Sequence, residues 1–449
     1  MGEAMSAILV ALVAALVGIA IYLGARRATV GQSRAVRLLV RGGALSLIGI
    51  ALAAVFVLTP TLQQAHRGAD TETRNGLRLD EEVPAARAPA SEQPGAGAPV
   101  DASKLAAGPW QVVPVYYGTD REEQPDAKRV RYGSERGRRL ELGRAMVTVP
   151  ESHLVPQIER PWAIRVPYFD VTIYEEAEDP AEHFTLQTLE KLSEGDFLQR
   201  VRERLAASSR YKDHAIVFVH GYNTSFDNAL YRTAQISYDL KFDGAAFLYS
   251  WPSGGSVASY TYDRESAEAS TPYLRKFLDM VIEKTGAKSI SIIAHSMGNQ
   301  PLLDVLRDLR GSGPANVVIN EVIFAAPDVD ADNFANLAHR IEGIAKGVTL
   351  YAAGNDRALI VSRGFWRNPR AGDVLASGPL IVPGIETIDI TAASTDTFAL
   401  NHSGYAENND LLQDIGKLIL SGLRPPDQRL PALKRTASPK GAYWRYTTP

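Results

Sequence analysis

The stretch Ser289-Ile-Ser-Ile-Ile-Ala294-His295-Ser296-Met297-Gly298-Asn299 decides how the rest of this 449-residue chain is read. Its first half is a short apolar run of the kind found in a strand buried on both faces. Its second half matches the pattern Gly-x-Ser-x-Gly except that Ala294 stands for the first glycine. A strand–turn–helix with this pattern lifts a serine hydroxyl above a sheet. Bulk beside the serine would collide with the neighbouring strand and helix, which explains the small residues. The Met297 N–H and the N-terminus of the next helix are aimed at the same spot.

The flanking sequence supplies the sheet that such a turn needs. Short apolar runs at Ala215–Val219, Ala245–Ser250, Asn320–Ala325, Val348–Ala352 and Glu386–Ile390 alternate with helical patterns over 225–240, 263–285, 297–310, 332–345 and 405–421. Alternation of this kind implies an α/β fold with a mostly parallel sheet flanked by helices. Catalytic groups then sit just past the carboxyl ends of the strands. Upstream, Val112–Tyr117, Ala145–Val149 and Ile164–Tyr174 read as strands. Residues 184–206 carry helical spacing through Leu186, Leu189, Leu192, Phe197, Val201 and Leu205, with a break at Gly195.

A serine needs a base, and its partners follow it in the order acid, then histidine. Of eight histidines only His339 and His402 lie beyond Ser296. His339 falls within a helical pattern, whereas His402 lies in the polar loop Leu400-Asn-His-Ser-Gly404 after the last strand, so His402 is the expected base. Two acids compete. Asp356 follows the strand at 348 in Tyr351-Ala-Ala-Gly-Asn-Asp-Arg357, and Asp328 follows the preceding strand in Ala325-Ala-Pro-Asp-Val-Asp330. Asp356 is preferred because the end of the penultimate strand is the commoner home of the acid; the remaining Asp328 or Asp330 suits a helix cap near Asp332. The His-Gly run Val219-His220-Gly221-Tyr222-Asn223 supplies a second oxyanion N–H, assigned to Tyr222 beside that of Met297. His220 reads as a hydrogen-bonding strut. Trp251, after the strand at 245, reads either as a pocket candidate or as a packing tryptophan in a plain βα loop; Phe365 and Trp366 are pocket candidates in the loop 357–385, which is the expected partial cover. Only one helix fits between Asp328 and Val348, so a large lid is not expected. Arg121 reads first as a surface ion pair and second as a structuring group at the site rim.

Composition excludes other classes. The absence of cysteine removes disulfides, thiolate nucleophiles, cysteine-ligated zinc and iron–sulfur clusters. A formal net charge of −3 offers no concentrated basic face for nucleic acid. The chemistry read above requires neither metal nor cofactor.

The charge is unevenly spread. Residues 1–60 hold five arginines and one acid, Glu3, while the remainder is acidic overall. Two apolar segments, about 4–25 and 38–58, are each long enough for a transmembrane helix. Arg26, Arg27, Arg34 and Arg37 lie between them, which places that loop in the cytoplasm and the following body outside it. A cleaved signal peptide would carry its positive charge before the first apolar run, where only Glu3 stands. Residues 61–108 are rich in Pro, Ala, Gly and Glu and read as a flexible tether reaching about 40 Å. Residues 109–449 form the catalytic body. The basic, aromatic tail 422–449 either docks on that body or touches membrane.

The chain resembles a bacterial α/β-hydrolase family of unassigned substrate through Pro114-Val-Tyr-Tyr-Gly-Thr-Asp-Arg121, Phe218-Val-His-Gly-Tyr-Asn223, Tyr249-Ser-Trp-Pro-Ser253, Ile293-Ala-His-Ser-Met-Gly-Asn299, Ala325-Ala-Pro-Asp328 and Asn355-Asp356. The resemblance covers about 110–420 and implies an esterase- or lipase-like serine hydrolase with Ser296, Asp356 and His402 as its triad. A membrane-anchored hydrolase of small-molecule or lipid esters is therefore the expectation. An acyltransferase would use the same residues. A non-catalytic binding protein of the same fold would be expected to break the triad.

Overall fold

The computed structural model describes residues 108–126, 129–166, 171–255, 259–309, 318–354, 368–393 and 405–447. The expected membrane hairpin and tether lie outside these residues. Among the described residues no helix is long and apolar enough to cross a membrane.

The body contains, in chain order, β1 (Trp110–Gln124), β2 (Arg131–Pro150), β3 (Ala163–Val166), β4 (Val171–Glu175), β5 (Thr185–Lys191), α1 (Glu194–Ala207), β6 (His214–Val219), α2 (Phe226–Asp239), β7 (Ala245–Ser250), α3 (Tyr260–Ala269), α4 (Thr271–Lys284) and β8 (Ser289–His295). A 3₁₀ turn, Ser296–Gly298, leads into α5 (Asn299–Leu309). There follow β9 (Val318–Ala325), α6 (Ala331–Arg340), β10 (Ala345–Ala352), β11 (Val374–Leu375), β12 (Gly378–Pro379), β13 (Glu386–Asp389), α7 (Tyr405–Ser421), β14 (Leu433–Ser438) and β15 (Gly441–Tyr446).

Eleven strands make one sheet in the order β14-β15-β13-β10-β9-β8-β6-β7-β1-β2-β5. The run from β15 to β1 is parallel throughout, and β2, β5 and β14 pair antiparallel at the flanks. Alternate side chains serve opposite faces. Val217, Val219, Ile292 and Ala294 join α1, α4, α5 and α6 in one apolar layer. Ile216, Phe218 and Ile293 join α2 and α7 in the other. The expected α/β architecture is thus present, with helices over both faces.

Three local readings change, and the reading left open for the tail is decided. The helical spacing at 184–206 covers a strand and a helix. β5 pairs with β2 so that Leu186 faces Val147 and Leu189 faces Ala145, with the register shift between Met146 and Val147 leaving Gln187 as the extra residue. That bulge resets the alternation of two and puts residues three apart on one face, which imitates a helix. The single strand expected at Ile164–Tyr174 is the β3–β4 hairpin. The helix expected at 263–285 is two, broken at Ser270, with Pro272 in the first turn of α4. Proline has no N–H for a helical bond, and the Ser270 hydroxyl donates to Asp120 Oδ2 at 2.6 Å. The tail docks on the body: β15 adds to β13 and β14 closes the edge.

One buried ion cluster pins the segment after β2 to α2. His153 Nδ1 donates to Glu159 at 2.8 Å and Nε2 to Asp239 at 2.9 Å. Burial alone would lower the imidazole pKa, but the two carboxylates outweigh it and raise the pKa to about 9. The stabilisation is therefore complete below the ordinary histidine pKa and is lost as pH rises through about 9. His153→Ala should cost about 3 kcal/mol at neutral pH by removing the cation between two carboxylates, which then keep the Leu154 N–H and the Gln235 amide as partners. Thermal unfolding of wild type and variant at pH 7 and pH 10 would check this, and the gap between them should narrow at the higher pH.

Candidate active site

Ser296 sits where β8 ends and the 3₁₀ turn begins, with φ +50°, a left-handed backbone conformation. A non-glycine residue there is under strain, and a crowded surround must hold it. Gly298 passes so close to β6 that a Cβ on it would lie 2.3 Å from the His220 carbonyl oxygen. Gly221, in the loop after β6, packs directly against the turn. A Cβ there would lie 2.7 Å from His295 Nδ1 and 3.0 Å from Ser296 Cβ. Ala294 is fully buried among the neighbouring strands. The small residues expected around the serine are thus required by contact.

Ser296 and the Gly221–Tyr222 loop are brought together, because β6 and β8 are direct neighbours in register, Val219 opposite Ala294. Met297 lies in the first turn after Ser296, where backbone N–H groups lack helical acceptors; its side chain is buried in the core. Tyr222 is half-buried, edge-on to Tyr260 with ring centroids 5.3 Å apart. β10 and β13 run parallel to β8 and reach the same carboxyl edge of the sheet. Asp356 and His402, which follow those strands in sequence, lie outside the described residues, as do Phe365 and Trp366.

Asp328 is close to Ser296 but already engaged. Its backbone N–H donates to Ser296 O at 3.1 Å. Its carboxylate accepts Arg370 Nε at 2.7 Å on Oδ1 and the Tyr260 hydroxyl at 2.7 Å on Oδ2. Both partners of the ion pair are buried. The cap on α6 is Asp330, which accepts the Asp332 and Asn333 N–H groups. Asp389, at the end of β13, is likewise committed, to Arg445 at 3.0 Å and Thr391 at 2.6 Å.

Two expectations give way to burial. Trp251 has no exposed surface. It stacks on His220 at 4.8 Å between ring centroids and donates its indole N–H to His220 O at 2.8 Å. It supports the loop and offers no face to a substrate. Arg121 is buried, which corrects the surface reading. Its guanidinium bonds Ser250 Oγ at 2.9 Å, Ser253 O at 3.1 Å, Thr224 O at 2.8 Å and Gly133 O at 2.9 Å, and burial draws its pKa down to about 10. His220 donates from Nδ1 to Gly221 O at 2.7 Å and turns Nε2 towards Arg121 at 3.4 Å. Burial, aided by Arg121, lowers it to about 3, so the ring is neutral at working pH and serves as a strut.

Asp263 was not singled out by any sequence signal. It is fully buried on α3 and accepts the Asn223 N–H at 3.0 Å, the Ser253 hydroxyl at 2.6 Å and the Gly254 N–H at 2.6 Å. Asn223 has φ +56°. Asp263 and Arg121 therefore stitch the loop after β6 to the loop after β7. Each bond is to a group more than eight positions away in sequence, which is why no local pattern announces it.

Among the described residues, Glu176, Glu182 and His183 lie close enough together to suggest a metal. The Asp179 N–H donates to His183 Nδ1 at 3.2 Å. The neutral ring must then carry its proton on Nε2, which faces Glu176 at 3.7 Å and has no lone pair to give a metal.

The contacts at the turn set a stability test. Gly298→Ala should destabilise by about 1–3 kcal/mol, since backbone must move, whereas Ala294→Gly should cost under about 1 kcal/mol. Chemical denaturation of the two variants would compare them.

The geometry can be set beside known proteins. A family model described as alpha/beta hydrolase of unknown function (DUF900) matches residues 193–421. An uncharacterised protein of Nostoc sp. is 29% identical over 135 residues, covering 24% of this chain and 35% of that one. This chain thus spans about a third of the length of that curated relative. Among solved structures, a lipase-esterase related protein from Clostridium acetobutylicum is 12% identical, with a TM-score of 0.25 over 47% of this chain and 97% of that one. A thioesterase of the prodiginine pathway of Streptomyces coelicolor is 14% identical, with a TM-score of 0.25 over 47% of this chain and 87% of that one. The family match takes in just over half of the chain, from the start of α1 to the end of α7 with the Ser296 turn inside it, and the chain accordingly belongs to the alpha/beta hydrolases of unknown function.

Proposed function

We propose that the protein is a membrane-anchored serine hydrolase of carboxyl esters, working through an acyl-enzyme on Ser296. The observation that carries this reading is Ser296 itself, held at φ +50° between a strand and a helix with Gly221 packed against it. A hydroxyl so placed has backbone N–H groups on two sides and a helix N-terminus behind it, the surroundings that a developing oxyanion needs.

His402 takes the Ser296 proton as Oγ attacks the ester carbonyl, and returns it to the departing alcohol. Water, deprotonated by the same imidazole, then releases the acid and restores the serine. The N–H groups of Met297 and Tyr222 hold the oxyanion in both steps. Asp356 fixes the tautomer of His402. Asp328 is the weaker candidate for that task, because Arg370 and Tyr260 already occupy both its oxygens. The two apolar segments before residue 60 hold the body outside the cytoplasm, within reach of small-molecule or lipid esters.

Four measurements test the reading. Ser296→Ala should abolish labelling by a fluorophosphonate probe and hydrolysis of short p-nitrophenyl esters; labelling that survives would sink the proposal. Asp356→Asn should lower kcat by about 10³–10⁴-fold with little change in stability. Asp328→Asn should do the reverse, weakening the fold by about 3 kcal/mol while retaining most of kcat in the folded fraction. A reporter fused after residue 65 should prove extracytoplasmic, and a cytoplasmic reporter would overturn the topology.

A further inference from the structure

The peptide between Ser296 and Met297 is gripped from one side. Ser296 O accepts the Asp328 backbone N–H at 3.1 Å and Asn299 Nδ2 at 2.8 Å, besides the Asn299 backbone N–H within the turn itself. The same amide nitrogen reaches Ala325 O at 3.4 Å. Two carbonyl oxygens on that side admit only the NH₂ end of the amide, so its orientation follows from the chemistry of its neighbours.

The arrangement carries a cost. Asn299 is fully buried, and its Oδ1 has no hydrogen-bond partner among the described residues. A buried acceptor left without a partner is unfavourable, and an apolar side chain of similar size would avoid the loss. What the amide offers in exchange is a donor to Ser296 O.

That donor reinforces a direction which the turn's own hydrogen bond and the Asp328 N–H also favour. In a trans peptide the carbonyl and the following N–H point to opposite sides. In the sheet β9 flanks β8 on one side and β6 on the other. Asp328 and Ala325 belong to the β9 side, and Gly221 to the β6 side. Holding Ser296 O towards β9 turns the Met297 N–H towards the Gly221 loop, where the second donor lies.

We propose, resting on the serine-hydrolase reading above, that Asn299 is a positioning residue that aims the Met297 N–H into the oxyanion hole. It touches no reacting atom. Its effect is on the transition state and not on substrate binding, because the oxyanion exists only after attack.

The test uses the full-length protein. In Asn299→Leu, kcat for a p-nitrophenyl ester should fall by about 10–100-fold with KM unchanged within about twofold. Affinity for a trifluoromethyl ketone, which places an oxyanion in the hole, should fall by the same factor, and the melting temperature should not drop. In Asn299→Ser the short hydroxyl can bond the carbonyl three residues back, so kcat should recover part of the loss. If Asn299→Leu fails to fold, Asn299→Ala against Asn299→Ser gives the same comparison. A folded Leu or Ala variant with wild-type kcat, or equal kcat in the Ser and Ala variants, overturns the proposal. So does a loss of kcat with unaltered ketone affinity. A wild-type chain that neither takes the fluorophosphonate label nor turns over ester overturns the serine-hydrolase reading and this proposal with it. Wild type active beside an undiminished Asn299→Leu overturns this one alone.

Discussion

The site depends on keeping one residue in a backbone conformation that it disfavours. Ser296 at φ +50° is unfavourable in isolation. It persists because β8 is central in an eleven-stranded sheet and cannot relax without moving β6 and β9. Gly298 against the His220 carbonyl and Gly221 against Ser296 Cβ leave no room for the turn to open. The carbonyl of Ser296 is tied to β9 through Asp328 and Asn299. The strain is thus opposed by contacts from both neighbouring strands.

The second feature is a buried polar frame around the loop after β6. Arg121 enters from β1, Asp263 from α3, and His220, beside Arg121, stacks on Trp251. No direct Arg121–Asp263 hydrogen bond is needed. Each satisfies backbone groups and serine hydroxyls in the two loops, and these groups would otherwise be buried without partners. The frame explains why Tyr249-Ser-Trp-Pro-Ser253 and Gly118-Thr-Asp-Arg121 are rich in polar residues although they lie in the interior. The arrangement ties the loop after β6 to the loop after β7 by hydrogen bonds from both Arg121 and Asp263.

The central strands and their helices were legible because burial on both faces leaves an unmistakable run of apolar residues, as in Ala215–Val219 and Ser289–Ala294. The flanks were less so. Leu186 and Leu189 share a face through a bulge at Gln187, and spacing by three reads as helix in one dimension. The roles of Arg121, Asp263 and Trp251 were hidden for another reason. A charged residue in a polar stretch looks exposed until the fold closes over it. The choice between Asp356 and Asp328 rests on strand order alone, and the ion pair that Arg370, forty-two positions away, makes with Asp328 leaves no local signal.

Sequence alone determined the α/β class, the turn around Ser296 and the absence of any thiol chemistry, since these rest on local pattern and on composition. The expectation of an apolar, arginine-punctuated head rests on the same kind of local evidence. Tertiary structure decided which polar residues are buried, how the tail closes the sheet, and which acid is already bound to an arginine. Those outcomes depend on contacts between segments tens of residues apart, and hydrogen-bond partners at that range leave no periodic trace in the chain.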